Sequence, residues 1–370
     1  MKNIYLTLLL ILIGQPSKGQ FLNDTLSQKI VTAGLDKLYN MEFDKAEKIW
    51  QPVYQKYVGH PLSYLLKATL LQWKFIPVEN NERVFKEYLE HLEHCKETAY
   101  GMLKSGHIEE EANFYLLSAH GNISRAYSEK KDYLKAGLEA KKAYGFLKAG
   151  FDLYPLNPDF LLTNGLYRYY RVQYPETHPQ IKPLIYFFLE GDRNQGLEDL
   201  RQATKKSLFT KTEAVFFLAG ICLKYENKNL EALKLTRGLN LNFPKNPDFL
   251  LRYIESLLIN GEYLMAEVKN QELQNYTGVD YLLASLVFAG DIELSKNDLN
   301  LAEIKYKKAI AFKGEGRYVD DFKSMAYLSL GQISLKRNNL NTAKVYFKES
   351  LNIAEYNRVI NSAKKALEIL

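Results

Sequence analysis

The chain has 370 residues, 46% hydrophobic and 25% charged, with a formal net charge of +6. This balance excludes disorder as the main state. Gly (21) and Pro (11) are too scarce for an all-β sandwich or barrel, and the small, dispersed positive excess argues against a nucleic-acid partner.

Met1-Lys-Asn is a short basic start, and Ile4 to Ile13 is an unbroken apolar run followed by Gly14-Gln-Pro-Ser-Lys-Gly-Gln20. The run is too short to span a bilayer, which takes about 20 residues, and it fits the apolar region of a secretory signal peptide. Ser17 and Gly19 supply the small residues of a cleavage site before Gln20, so residues 1–19 read as a signal peptide. With no cysteine nearby, a lipid-anchored signal is not expected; the alternative is a buried N-terminal helix. The expected location is periplasmic or secreted. No later run reaches the length of a further transmembrane span.

Gly34 precedes Ala46 by twelve residues, with Trp50 four further on and then Val53. Residues 61–104 read as two long helices, with Leu62, Leu65, Leu66, Leu70 and Trp73 on one face of the first. In the second, His91-Leu-Glu-His94-Cys95 gathers metal-ligand residue types. The two histidines share a helix face, but Cys95 is rotated away, and a zinc site needs three or four ligands. The cluster reads as a solvated face, and no metal or other cofactor is expected. Ile123 and Tyr127, followed by Ala136, Ala140 and Ala143, mark another helix pair whose second helix runs on toward Pro155.

Two phrases are nearly identical: Tyr154-Pro-Leu-Asn-Pro-Asp-Phe-Leu-Leu162 and Phe243-Pro-Lys-Asn-Pro-Asp-Phe-Leu-Leu251. In each, the first proline ends a helix. Asn157-Pro158 or Asn246-Pro247 then starts the next, with Asn as the N-cap and Pro at the first helical position. Tyr167-Arg-Tyr-Tyr-Arg-Val-Gln-Tyr174 is the densest aromatic segment, and the spacing puts Tyr167, Tyr170 and Tyr174 on one face. Two readings stay open for it. The tyrosines pack into neighbouring helices, leaving Arg168 and Arg171 as solvated residues, or the segment, Arg171 included, binds a partner, since Tyr and Arg are enriched at interface hot spots. Pro175, Pro179 and Pro183 make residues 175–183 a rigid loop or joint between two arrays, 20–174 and 184–370. Beyond it, Tyr186-Phe-Phe-Leu189 followed by Gly196, Leu200 and Ala203 resembles another pair. Glu190-Gly-Asp192 would lie in its turn, where turn chemistry explains Gly and Asp.

The twelve-residue spacing returns at Gly220–Ala232, at Gly290–Ala302, which is followed by Tyr306 and Ala309, and at Gly331–Ala343, with Phe347 four further on. Gly261 to Ala266 reads as a turn and the start of a second helix. Ala232, Ala266, Ala302 and Ala343 are 34, 36 and 41 residues apart, and the longer steps imply inserts such as Lys313-Gly-Glu-Gly-Arg317.

Large residue, Leu-Gly, alanine twelve positions on and a large residue four later is a pattern that resembles the tetratricopeptide repeat, whose period is about 34 residues. The resemblance covers most of residues 21–370. It implies an all-α, right-handed helical-repeat solenoid of about seven to nine antiparallel helix pairs. In such an array Cys95 and Cys222, 127 positions apart, do not meet and are expected to be free, mostly buried thiols. The resemblance also implies a protein-interaction scaffold whose first helices line a concave groove. The groove positions read Ala214, Phe217, Ile221 and Lys224 in one unit, and Met325, Leu328, Gln332 and Lys336 in the last. They lack the Lys, Asn and Arg clamp with which one subgroup grips a C-terminal carboxylate, and they suit a hydrophobic or helical segment. The run from Gly165 to Tyr170 and on through Tyr186 to Asp192 also resembles outer-membrane-associated tetratricopeptide proteins of mitochondria.

No nucleophile elbow, P-loop, dinucleotide fingerprint or zinc-protease helix occurs in the sequence. The expectation is therefore a non-catalytic, exported scaffold with a protein or peptide partner in the cell envelope. The alternative is a carrier that encloses a small molecule or lipid near Tyr167–Tyr174.

Overall fold

A computed structural model describes residues 20–106 and 108–370; the predicted signal peptide, residues 1–19, lies outside them. Among the described residues every regular element is a helix. A 3-10 turn at Phe21–Asn23 leads into α1 (Thr25–Tyr39), α2 (Phe43–Lys56), α3 (Pro61–Lys74), α4 (Glu82–Lys104), α5 (Glu109–Glu129), α6 (Tyr133–Leu153), α7 (Phe160–Thr177) and the short α8 (Lys182–Ile185). Then come α9 (Arg193–Lys206), α10 (Lys211–Ile221), α11 (Asn229–Asn242), α12 (Pro247–Ile259), α13 (Tyr263–Leu273), α14 (Val279–Ser295), α15 (Leu299–Ala311), α16 (Val319–Lys336), α17 (Leu340–Ile353) and α18 (Asn357–Glu368). Residues 20–34 and 44–149 form one compact unit; residues 35–43 and 150–370 form a second. The proline-rich segment 175–183 lies inside the second unit. No described helix is long and apolar enough to cross a membrane.

One turn recurs between paired helices. Met41, Lys131, Asn227, Gly261, Asn297 and Asn338 all adopt the left-handed conformation, with φ of 60°, 61°, 53°, 76°, 63° and 58°. Such a residue closes a helix by sending the next N–H back to a carbonyl of the last turn. Glu42 N–H reaches Lys37 O (2.8 Å), Asp298 N–H reaches Glu293 O (3.0 Å) and Asn339 N–H reaches Ser334 O (2.9 Å). Asn and Gly tolerate this geometry, whereas Met41 and Lys131 adopt it at a cost of about 1–2 kcal/mol each. Five positions after each turn stands a buried alanine: Ala46, Ala136, Ala232, Ala266, Ala302 or Ala343.

Seven positions before the turn, Gly34, Gly290 and Gly331 receive the fully buried rings of Trp50, Tyr306 and Phe347. A Cβ on these glycines would stand 2.0, 2.5 and 2.5 Å from the nearest ring atom. Gly, Ala and aromatic thus form one packed contact in three pairs. Gly220 differs: a Cβ there would meet nothing within 4 Å. Thr236 occupies the ring position, its hydroxyl donating to Ala232 O (2.9 Å), and beyond Ile221 the helix widens into a π-helical turn, Cys222–Glu226.

The middle of the chain departs from expectation. Gly196, Leu200 and Ala203 lie on α9, but the helix packed against α9 is α7, not residues 186–189. A Cβ on Gly196 would stand 2.7 Å from Tyr169 N and 2.8 Å from Gly165 O, so Gly165 and Gly196 form the close crossing. Residues 178–192 are an insert between the two helices of this pair, which is why the twelve-residue spacing fails there. Pro175 does not break α7; it sits near the helix's C-terminal end and removes one hydrogen bond. Asn246 caps α12 as expected, accepting from Asp248 N (3.0 Å) and Phe249 N (3.2 Å). In the sister phrase the helix begins later, at Phe160, and Asn157 accepts from Asp159 N (3.1 Å). The buried Asp159 carboxylate instead accepts the N–H groups of Leu208 (3.0 Å), Phe209 (2.9 Å) and Thr210 (2.9 Å). Cys95 and Cys222 are buried and free.

Candidate functional site

Helix α12 is buried on nearly every side, yet it carries Arg252 (4% exposed) and Glu255 (1% exposed). Buried charges need partners. Arg252 Nη1 donates to Glu255 Oε2 (2.8 Å) and to the hydroxyl oxygen of Tyr356 (2.6 Å). The Tyr356 hydroxyl donates in turn to Glu255 Oε2 (3.3 Å). The Arg252 guanidinium lies 4.4 Å from the centre of the Tyr318 ring. On the π-helical turn, Lys224 pairs with Asp321 (2.8 Å) and Glu355 (3.2 Å) and lies over the Tyr356 ring (5.1 Å). Asn357 Nδ2 donates to Tyr225 O (2.9 Å), and Arg358 Nη2 faces Glu255 Oε1 at 3.5 Å. The segment 355–358 is therefore clasped by α16 and, far from it in sequence, by the π-helical turn and α12.

Beside this clasp a cleft of about 410 Å³ opens between α12, α14, α16 and α18. Leu258, Phe288, Met325 and Leu328 give it apolar walls, and Glu255, Asp291, Gln332 and Arg358 give it polar groups. Asp291 accepts the hydroxyl of Tyr306 (2.6 Å), and burial pushes its carboxyl up to about 6. Tyr306 is the ring seated on Gly290, so a repeat-packing residue also orients a cleft residue. Burial raises the Asp321 carboxyl as well, opposed by the neighbouring charges of Lys224 and Arg252.

Of the expected groove residues, Met325, Leu328 and Gln332 line the cleft. Lys336 is exposed at the end of α16, and Phe217 is 39% exposed beside Phe216. Ile221 is fully buried core, immediately before the π-helical turn, and Lys224 is engaged within the chain. The tyrosines expected on one face have different surroundings. Tyr170 packs edge-on against Tyr169 and Tyr225 (centroids 5.5 and 6.1 Å), and burial pushes its hydroxyl up to about 12. The Tyr167 hydroxyl donates to Leu189 O (2.7 Å), whereas Tyr174 is half-exposed and stacks on His178 (4.2 Å). Tyr169 is the fully buried one, donating to Glu226 Oε1 (2.6 Å). The insert running back along α7 produces this split: Arg171 packs its stem beside Gly191, and Arg168 pairs with Asp199 rather than pointing to solvent. His91 and His94 face Glu87 (4.0 Å) and Glu97 (3.5 Å) on α4. No group of three or more His, Cys, Asp or Glu able to hold a metal ion occurs among the described residues.

Arg252, Glu255, Tyr356 and Arg358 escaped the sequence reading. The available signal was Arg-x-x-Glu inside an otherwise apolar helix, a pair that has to be satisfied from elsewhere in the fold.

The recurrent left-handed turn, the alanine five residues after it and the ring seated on glycine decide the architecture. The fold is a tetratricopeptide-like helical repeat. The chain is similar in structure to yeast Tom70, with 16% identity and a TM-score of 0.37, over 84% of this chain and 63% of that one. It thus spans less than two thirds of the Tom70 chain. It is also similar to a tetratricopeptide repeat protein from Parabacteroides merdae ATCC 43184, with 14% identity and a TM-score of 0.33, over 82% of this chain and 99% of that one. No family model and no curated protein matches the chain.

Proposed function

We propose that this tetratricopeptide-like protein is an exported, non-catalytic scaffold that holds a protein or peptide partner in the cleft of its second unit. The observation that carries the reading is the cleft itself: apolar walls from the first helices of successive pairs, with polar groups among them. Apolar grooves of this kind take amphipathic helical segments through spaced anchors. Export rests on the basic start, the apolar run Ile4–Ile13 and the small residues before Gln20.

A photo-crosslinking residue at Gln332, in the cleft, should capture a discrete envelope protein, and the same residue at the exposed Leu241 should not. Equal capture at both positions, or none at Gln332, defeats the reading. N-terminal sequencing of protein from the periplasmic or secreted fraction should begin at Gln20; recovery in the cytoplasm with Met1 intact defeats export.

The cleft's volume also suits a small molecule. Native mass spectrometry that finds a stoichiometric bound compound, lost on Met325→Trp, would favour the carrier reading over the scaffold.

A further inference from the structure

We infer that residues 355–368 are a built-in occupant of the binding surface, and that the external partner is an amphipathic helix carrying an arginine, which takes the place of this segment. The inference rests on the scaffold reading above and names the chemistry of its partner.

Helix α18 packs on α17, the helix before it, and also on α16 and the π-helical turn, with an amphipathic face. Its apolar stripe, Val359, Ala363, Ala366 and Leu367, has helical spacing, and Val359 and Ala363 are fully buried. Its charged residues are Arg358, Lys364, Lys365 and Glu368, a basic excess. Of its basic residues Arg358 faces the cleft, which presents Glu255 and Asp291, whereas Lys364 and Lys365 are exposed. Ala354–Tyr356, which tether it to α17, are not helical. Tyr356 enters as an aromatic anchor, fully buried, with its hydroxyl between Arg252 and Glu255. Anchors of this type dominate binding at interfaces.

The intramolecular fit is nevertheless incomplete. Glu255 Oε1 and Arg358 Nε are buried without a hydrogen bond, and the ion pair between these side chains spans 3.5 Å. Arg358 Nη2 instead donates to Met325 Sδ (3.4 Å), a weak acceptor. An arginine arriving at hydrogen-bonding distance would satisfy the carboxylate with two parallel bonds, which the segment's own arginine does not. The tethered segment competes through its effective concentration, at millimolar level for a short linker, rather than through its fit. A partner with better geometry at Glu255 therefore displaces it.

The test uses the full chain and a fluorescent peptide copying residues 355–370. In fluorescence anisotropy the peptide should bind the chain carrying Tyr356→Ala and Arg358→Ala at least about a hundredfold more tightly than the unaltered chain, because the tethered copy no longer competes. Adding Glu255→Gln to that variant should weaken peptide binding about tenfold or more. Equal binding to altered and unaltered chains, or equal binding of a scrambled peptide, overturns the inference. Hydrogen exchange on the unaltered chain covers the case in which the variant does not fold. The amides of residues 357–368 should exchange at least tenfold faster than those of α12 and α16; exchange at the same rate makes α18 part of the fixed core and overturns the inference. Crosslinking at Gln332 separates the two proposals. A partner captured equally by both chains keeps the scaffold and removes the built-in occupant. Peptide binding to the variant without any captured partner keeps the occupant and removes the scaffold.

Discussion

The same substitution, Gly→Ala, should have opposite effects at two glycines that occupy the same place in the repeat. At Gly331 a new Cβ would stand 2.5 Å from Phe347 Cε1 and 2.6 Å from Cδ1. Phe347 is fully buried, so its ring has nowhere to retreat, and overpacking of this kind costs about 1–3 kcal/mol. Alanine's better helix propensity returns up to about 1 kcal/mol, which leaves a net loss. Gly290→Ala should behave the same way or worse, because its Cβ would lie 2.5 Å from the Tyr306 ring, whose hydroxyl is pinned by Asp291. At Gly220 nothing lies within 4 Å, so only the propensity gain of about 0.5–1 kcal/mol remains and the variant should be more stable. Urea unfolding reads the difference directly. The midpoints should move down for Gly331→Ala and Gly290→Ala and up for Gly220→Ala, with the slope unchanged. Phe347→Leu in the Gly331→Ala background should recover part of the loss, since the two sites are in contact and their effects do not add. A stabilised Gly331→Ala chain would refute the ring-on-glycine account of the repeat.

Glu111, 1% exposed, has a carboxyl that burial pushes up to about 7 from 4.5. The folded chain keeps a proton that the unfolded chain releases, so its share of stability is full below about pH 4.5 and declines by about 3 kcal/mol by pH 7. Glu111→Gln should flatten that slope in urea midpoints taken across the range, and an unchanged slope speaks against the assignment. Lys131→Gly should stabilise the chain by about 1 kcal/mol by relieving its left-handed backbone, and Gly261→Ala, at φ 76°, should destabilise it by a similar amount; thermal melts moving the other way contradict the turn frame. Asp159→Ala strands the N–H groups of Leu208, Phe209 and Thr210 and should cost about 3 kcal/mol, whereas Asp159→Asn keeps an acceptor and should cost clearly less by chemical denaturation.

Local chemistry made much of the fold legible in the sequence. In three pairs glycine, alanine and an aromatic stand at fixed spacing about a left-handed turn, so the contact is carried by one short stretch of sequence. Gly331, Ala343 and Phe347 therefore show their contact in their spacing alone. So did Asn246-Pro247, because a cap and a proline act within one turn of backbone. What lay beyond reach depended on residues distant in sequence. The partnership of α7 with α9 across the insert 178–192 followed from a glycine–glycine crossing that no fixed spacing marks. The place of Lys224, expected in an open groove, was decided by Asp321 and Glu355, about a hundred residues away or more. The sequence by itself determined that this chain is built of helix pairs, since several of them carry their own packing signature. Only the tertiary structure decided which faces are still open, because the surroundings of a buried charge depend on whichever segment the fold delivers to it: Glu255, paired with Arg252 on its own helix, also meets the chain's own Tyr356 and Arg358.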